Sequence, residues 1–505
     1  MNPIVFITTI GALLTQPVLN KDTYKGTHWT FEHPEFTSEY AYIEARKGGD
    51  FAEVQWFGFQ YTLLYYICQQ VTMPHVDEAE AELHAHGIPF NRKAWERVVK
   101  KHNGYLPIII KALPEGVIVP QGTVLATVES TDPRLAGLAA EVETILLRGA
   151  WFPTTIATRS MRWWRLINRY LEVSGDPGTS EFKMVDFGAR GVSSTETAGI
   201  AGMAHLVNHQ VTDNLLGIRF AKHAYRDYGM PGFSIPATEH SVTTSWGRDG
   251  EEAFFRNILK VHGDVPSRAP GDPRKPVSVV IDTYDQDAAI RKWLTPANEG
   301  GLLDDLKASD MQVVLRPDSG DPIINVVHCL DLIGSLVGFE CNDKGYRILP
   351  DYVRLIQGDG INEESLRRIL QRVVYHGWSI DNLVFGSGGG LLVHEVERDT
   401  HRFAMKASEV IVGGETRAIS KQPKTDPSKA SKAGRFSVVL RDGQWLTIPQ
   451  EALQEGETDF LFTRFENGKM VNIQTFNDVR EMARAWRSRP SPEERHAAIA
   501  KELLD

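Results

Sequence analysis

The chain has 505 residues, enough for at least two domains, and an ordinary globular composition of 42% hydrophobic and 24% charged residues. A formal net charge of -10 argues against an obligate nucleic-acid binder, and no apolar run is long enough to span a bilayer. Its three cysteines, Cys68, Cys329 and Cys341, have neither zinc-type nor redox-type spacing, which suits a reducing cytoplasmic setting.

The first segment, PIVFITTIGALL, resembles the apolar part of a signal peptide but has no basic leader and no small-x-small cleavage site. It reads as a buried first element. Residues 102–130 alternate apolar runs with Pro-Glu-Gly and Pro-Gln-Gly turns, the pattern of a small antiparallel sheet. A helical stretch from AAEVETILL to NRYLEVSG leads into the central region.

From Lys183 onward short β-rich runs end in polar or glycine residues, and amphipathic stretches usually follow. The run endings are MVDFGARG, QVTDN, FSIPATEHS, VIDTYD, LRPDSGDP, LIQGDG, VFGSGGG and, less clearly, FAMKAS. Strand, polar tip and helix repeated in this way predict an α/β fold: an irregular TIM-like β/α barrel of about seven or eight strands. A doubly wound sheet gives the same alternation, but places ligand-binding tips only near its switch point. Past Val412 the chain turns polar, with a Lys-rich loop, further strands and a charged helix. Residues 1–178 and 410–505 are therefore expected to form a second α+β domain flanking a barrel over 179–409.

Several tips can carry chemistry. Arg316 offers a two-point fork for phosphate or a diol, and Asp318 can grip hydroxyls or a hard cation. Gly358 and Asp359 repeat that logic. The glycines of GSGGG, including Gly388 and Gly389, can expose backbone N–H groups to an anion. GSGGG is not a dinucleotide fingerprint, because Leu391 stands where the third glycine belongs, and no Gly-Lys-Ser/Thr follows. Asp282 and Asp285 complete a set suited to a phosphorylated, polyhydroxylated ligand with Mg²⁺, although each acid can equally be a helix N-cap. Phe187 presents a flat face to a planar ring or is a core side chain, with Arg190 near it. His240 can be a general base, a phosphate carrier or a structural residue.

Together the blocks DTYKGTH, DFGARGVSSTETAGI, VTD, PGFSIPATEHS, SVVIDTYD, LRPDSGDP, RLIQGDG, FGSGGGLL and DPSKASKAGR resemble the nicotinamide phosphoribosyltransferase family, in order along almost the whole chain. The resemblance implies a type II phosphoribosyltransferase that joins nicotinamide to 5-phosphoribosyl 1-pyrophosphate in NAD salvage. It also implies a homodimer with active sites shared between subunits. Mg²⁺ is the implied cofactor and ATP an optional co-substrate coupled through a phosphorylated His240; NAD is not a cofactor.

By the same resemblance Phe187 and a partner subunit's Tyr24 sandwich the nicotinamide ring. Asp213 accepts from the carboxamide, with Arg190 and Ser278 beside it. Asp318 and Arg316 hold the ribose and pyrophosphate, with Asp282 near the metal. Asp22, Ser234, Gly358, Asp359, Gly388, Gly389, Arg398, Lys406, Lys421 and Lys429 serve the phosphoribosyl group and its phosphates. Phe182 and Phe233 depart from tyrosines of animal members, and Ala404 from a common serine. Nicotinate phosphoribosyltransferase is the nearest alternative. A Schiff-base aldolase using Lys406 and a catalytically silent binding protein are more distant ones.

Overall fold

In the computed structural model, residues 15–227, 229–263, 273–425 and 429–490 are described. The initial apolar segment, read above as a buried first element, lies outside them. The chain divides into two units.

One unit comprises Arg159–Phe220 and Met230–His394. Its centre is a five-stranded parallel sheet of β1 (Met184–Asp186), β2 (Lys275–Val280), β3 (Met311–Arg316), β4 (Val353–Gln357) and β5 (Leu383–Ser387). The order is β1-β5-β4-β3-β2. Valine, leucine and isoleucine fill these runs, as expected of parallel strands covered on both faces. Val279, Val313, Leu315, Leu355 and Phe385 are fully buried. Three isolated parallel bridges, Asp186 with Thr212, Val211 with Phe233, and Ala237 with Ser278, lead from β1 back toward β2.

The runs ending QVTDN and FSIPATEHS thus make single bridges rather than strands. Each is interrupted by prolines, glycines or polar residues that do not sustain a ladder. The outcome is a mixed α/β unit with a curled parallel sheet.

The helices that follow the strands are capped by short polar side chains. Asp285 accepts from the Ala288 amide at 2.9 Å, ahead of the helix Gln286–Leu294. Asp321 accepts from Ile323 at 2.9 Å, with Pro322 opening the helix Pro322–Val337. Asn362 accepts from Ser365 at 2.9 Å, and the Ser365 hydroxyl accepts from the Asn362 amide in return. Asp285 therefore takes the N-cap reading.

The other unit comprises the described residues of Met1–Thr158, Ala221–Gly229 and Glu395–Asp505. It holds a separate seven-stranded sheet, ordered Glu415–Ala418, Phe403–Val412, Phe36–Ala45, Val124–Ser130, Ile108–Ala112, Phe462–Glu466 and Lys469–Met470. Neighbouring strands pair antiparallel throughout. Chain from both ends therefore shares one sheet. The run FAMKAS, read as a barrel strand, instead pairs with Phe36–Ala45, with Met405 opposite Ile43. Its partly exposed side chains suit an antiparallel sheet better than a parallel core.

At the entry to β1, Lys183 is buried and donates to the carbonyls of Asp381 at 3.2 Å and Leu383 at 3.1 Å. Burial pushes its ammonium down to about 8, opposed by Asp381 and reinforced by Arg354. A lysine whose folded value is depressed binds fewer protons than the unfolded chain between that value and its ordinary one near 10.5. Stability from this group is therefore present at high pH and lost as pH falls through about 8. Unfolding titrations from pH 7 to 10 should show wild type gaining about 3 kcal/mol relative to Lys183→Met. A pH-independent difference between the two would refute this.

Candidate functional site

A cavity of about 830 Å³ opens within the parallel-sheet unit. It is lined by residues that follow β1, β3, β4 and β5, together with the segments 213–214 and 239–241. This is the C-terminal edge of the strands, where α/β sheets bind ligands.

Phe187 follows β1 directly, and its amide donates to Ser387 O at 2.9 Å. Its ring lies against bare backbone. A Cβ built on Gly386 would fall 2.0 Å from Phe187 Cε2, and one on Gly358 3.1 Å from the same atom. Only glycine at 386 lets the ring settle there. Gly390 is required for a different reason, since its Cβ would meet Ile361 O at 2.5 Å. The Ser387 hydroxyl donates to the same carbonyl at 2.8 Å, joining the loops after β4 and β5.

Gly388 and Gly389 have no such crowding, with nothing nearer than 3.8 Å to an added Cβ. They open the short turn Gly389–Leu392, and the amides at its start have no acceptor within it. Asp359 lines the cavity, and its carbonyl accepts from Gln357 Nε2 at 2.9 Å.

On the base side, Asp213 lines the cavity and accepts a short hydrogen bond from the Ser234 hydroxyl. Its amide donates to Asp186 O at 3.1 Å. Arg190 lines the same cavity from an exposed turn, Ala189–Gly191. Across from these, His240 Nδ1 and Thr283 Oγ1 share a hydrogen bond of 3.1 Å. His240 Nε2 lies 3.5 Å from Asp318 Oδ2 and 3.8 Å from Asp282 Oδ1. Asp282 Oδ2 accepts from the Asp318 amide at 3.2 Å, while its buried Oδ1 has no hydrogen-bond partner. Arg316 donates from Nη2 to Thr238 O at 2.8 Å, and its buried Nε has no partner.

The cavity thus gathers Phe187, Arg190, Asp213, His240, Arg316, Asp318, Gly358, Asp359, Gly388 and Gly389. Asp282, Ser234 and Ser278 stand behind it or beside it. Ser278 is buried in β2 with an unpartnered hydroxyl.

The remaining expected residues belong to the other unit. Asp22 accepts from Thr144 Oγ1 at 2.8 Å, and Tyr24 is 57% exposed. Arg398 donates to Phe403 O at 2.7 Å, and Lys406 Nζ to Met405 O at 2.8 Å. Burial lowers the Lys406 ammonium from its usual range. The Lys421 backbone exchanges bonds with Ser431, and Lys429 is exposed. Of the departures, Phe182 and Phe233 are about half exposed and Ala404 is buried.

Sequence reasoning missed Asp186, Asn214, Glu239, Ser241, Asn362 and His394, which also line the cavity. Each adjoins or lies near a recognised motif, but none has a residue-type signal of its own. Asp186 is fully buried, and burial pushes its carboxyl up to about 6 against the bonds it accepts from Gly188 and Asn214.

Fold and cavity together define an α/β protein with a glycine-lined site at the C-terminal edge of its parallel strands. The chain matches the nicotinate phosphoribosyltransferase (NAPRTase) family over residues 182–469, and the nicotinamide phosphoribosyltransferase N-terminal domain over residues 17–110. It is 43% identical over 479 residues to a nicotinamide phosphoribosyltransferase of Xanthomonas campestris pv. campestris, covering 93% of this chain and 98% of the relative. A nicotinamide phosphoribosyltransferase of Acinetobacter baylyi is 31% identical, covering 75% of this chain and 76% of that one. Human nicotinic acid phosphoribosyltransferase shares the fold, with a TM-score of 0.57 at 17% identity and 94% of each chain covered. The chain belongs to the nicotinate phosphoribosyltransferase family and is a pentosyl-transferring enzyme.

The glycine loop makes a direct stability prediction. Gly386→Ala should cost about 1–3 kcal/mol by driving a methyl into the Phe187 ring, whereas Gly389→Ala should stay within about 0.5 kcal/mol of wild type. Denaturant unfolding of both variants measures this, and equal effects would contradict the packing argument.

Proposed function

We propose that the protein condenses nicotinamide with 5-phosphoribosyl 1-pyrophosphate, releasing nicotinamide mononucleotide and pyrophosphate. The observation that carries this reading is Asp213 lining the same cavity as the Phe187 ring and the glycine loops. Ser234 occupies Oδ1 of that carboxylate, and Oδ2 is left to accept from a carboxamide NH₂. Nicotinate would place a second carboxylate there and be repelled.

In the reaction the pyridine nitrogen supplies its lone pair to C1 of the ribose as the C1–pyrophosphate bond breaks. No proton need be removed, so positioning on the Phe187 face takes the place of a general base. Positive charge develops on the sugar and negative charge on the departing pyrophosphate. Asp318 tolerates the former, and Arg316 with the lysine and arginine set offsets the latter.

Mg²⁺ fits the donors present. The orphaned Oδ1 of Asp282 and the carboxylate of Asp318 would hold it, with phosphate oxygens of the substrate supplying the rest. When bound, the ion neutralises leaving-group charge.

In this reading the three isolated bridges close the parallel sheet into an irregular seven-membered barrel. A second copy of the chain supplies Tyr24 to the other face of the nicotinamide ring, and Asp22, Arg398, Lys406, Lys421 and Lys429 serve the phosphate side, partly across the interface. His240, with Nε2 3.5 Å from Asp318 Oδ2 and 3.8 Å from Asp282 Oδ1, is the site through which ATP hydrolysis couples to turnover. We place the enzyme in the cytoplasm, a reducing setting that suits its free Cys68, Cys329 and Cys341; separately, no described helix is long and apolar enough to cross a membrane.

Incubation with Mg²⁺, 5-phosphoribosyl 1-pyrophosphate and nicotinamide should yield the mononucleotide, with more product when ATP is present. Absence of product in both conditions would refute the assignment. Asp213→Asn should narrow the preference for nicotinamide over nicotinate by about tenfold or more, read in a competition assay. His240→Gln should abolish nicotinamide-dependent ATP hydrolysis; persistence of that hydrolysis would remove His240 from the coupling role. Nicotinate remains the second candidate base, because the matched family model carries its name, and the same competition assay decides between them.

A further inference from the structure

Asp186 ends β1 at the wall of the cavity, yet both of its carboxylate oxygens are taken by protein donors. Oδ1 accepts from the Gly188 amide at 2.7 Å, and Oδ2 from Asn214 Nδ2 at 3.0 Å. Its main-chain oxygen accepts from the Asp213 amide at 3.1 Å. We propose that Asp186 is a positioning residue that locks Phe187 and Asp213 into one frame, so that it governs recognition of the base without touching it. The inference rests on the nicotinamide reading above.

The geometry gives each arm a distinct task. A carboxylate bonding the amide two residues onward forms an Asx turn, which fixes the backbone torsions on either side of Phe187. The ring is then held against Gly386 and Gly358. The second arm reaches Asn214, whose Nδ2 also donates to Ala198 O at 2.9 Å and whose amide donates to Thr212 Oγ1 at 3.0 Å. Asp213 is therefore anchored on both sides by one residue, through its own amide and through the side chain of its neighbour. Its carboxylate, steadied by Ser234, is set at a fixed place relative to the ring.

An asparagine at 186 could not reproduce this. One of its two terminal atoms would be an NH₂, which must face either the Gly188 N–H or the Asn214 Nδ2, donor against donor. One arm breaks in either orientation. A fully buried carboxylate with no cation bonded to it is costly to keep, and simple packing would not call for one.

Steady-state kinetics on the full chain, with nicotinamide and 5-phosphoribosyl 1-pyrophosphate varied independently, tests this. Asp186→Asn should raise the nicotinamide KM about tenfold and leave the phosphoribosyl pyrophosphate KM within about twofold. Its preference for nicotinamide over nicotinate should also narrow. Asn214→Ala, which removes one arm only, should shift the same KM in the same direction by less, and it decides the matter if Asp186→Asn does not fold. Both KM values rising together, or kcat falling with both unchanged, would overturn the proposal. A wild-type enzyme making no mononucleotide would overturn the functional reading and the proposal with it. An active wild type whose variants keep the wild-type nicotinamide KM and the wild-type preference over nicotinate would overturn the proposal alone.

Discussion

Close contact between the Phe187 ring and the bare backbone of Gly386 is the constraint around which the site is built. A ring can lie that near a strand end only where no Cβ projects, and the added atom would sit 2.0 Å from the ring edge. The ring's position in turn depends on the turn that carries it, and hence on Asp186 and on the Ser387 carbonyl that accepts from Phe187 N. The side chain that offers a flat face is thereby placed by main-chain geometry more than by side-chain packing. Such placement suits a site whose chemistry needs orientation and no proton transfer.

The acidic residues at the strand ends divide into two groups by what they bond. Asp285 and Asp321 satisfy the first-turn amides of helices, which would otherwise be orphaned. Asp282 and Asp318 cap nothing; they lie beside His240, and Asp282 holds the Asp318 amide. In DTYD and PDSGD the two kinds stand three residues apart, so the first acid turns toward His240 and the second starts the helix. The loop between strand and helix is short, and this spacing lets one tip serve both ends.

Much of this was legible in the sequence because the tips are local. LRPDSGDP and LIQGDG follow continuous apolar runs, and β3 and β4 end where those runs end. The parts that were not legible depend on pairing partners far along the chain. FAMKAS has the composition of a barrel strand, but its register with Phe36–Ala45 is set by a segment more than 350 residues away. QVTDN and FSIPATEHS look like strands and form only bridges, because polar residues end the first and Pro231, Gly232 and Pro236 flank or interrupt the second. Asp186 was passed over because VDFG shows an acid beside an aromatic, and nothing in that pattern reveals that the carboxylate turns inward. Ala221–Gly229 returns to the antiparallel unit through Tyr225, whose hydroxyl bonds the buried Glu115. That link has no local signature at all.

The GSGGG loop shows how one short motif divides its labour. Gly386 exists for the ring and Gly390 for the Ile361 carbonyl, so two of its four glycines are steric requirements of the fold. Three anchors fix the loop: Ser387 O on Phe187 N, Ser387 Oγ on Ile361 O, and Gly390 O on Arg159 Nη1 at 2.9 Å. Between those anchors lie Gly388 and Gly389, whose carbonyls are taken up by Leu391, Val393 and His394. Both residues line the cavity, and their amides have no acceptor within the turn. A phosphate bound there would meet donors already held in place by the same contacts that seat the aromatic ring. The loop is therefore anchored at both ends, with Gly386 seating the ring and Gly388 and Gly389 standing between the anchors.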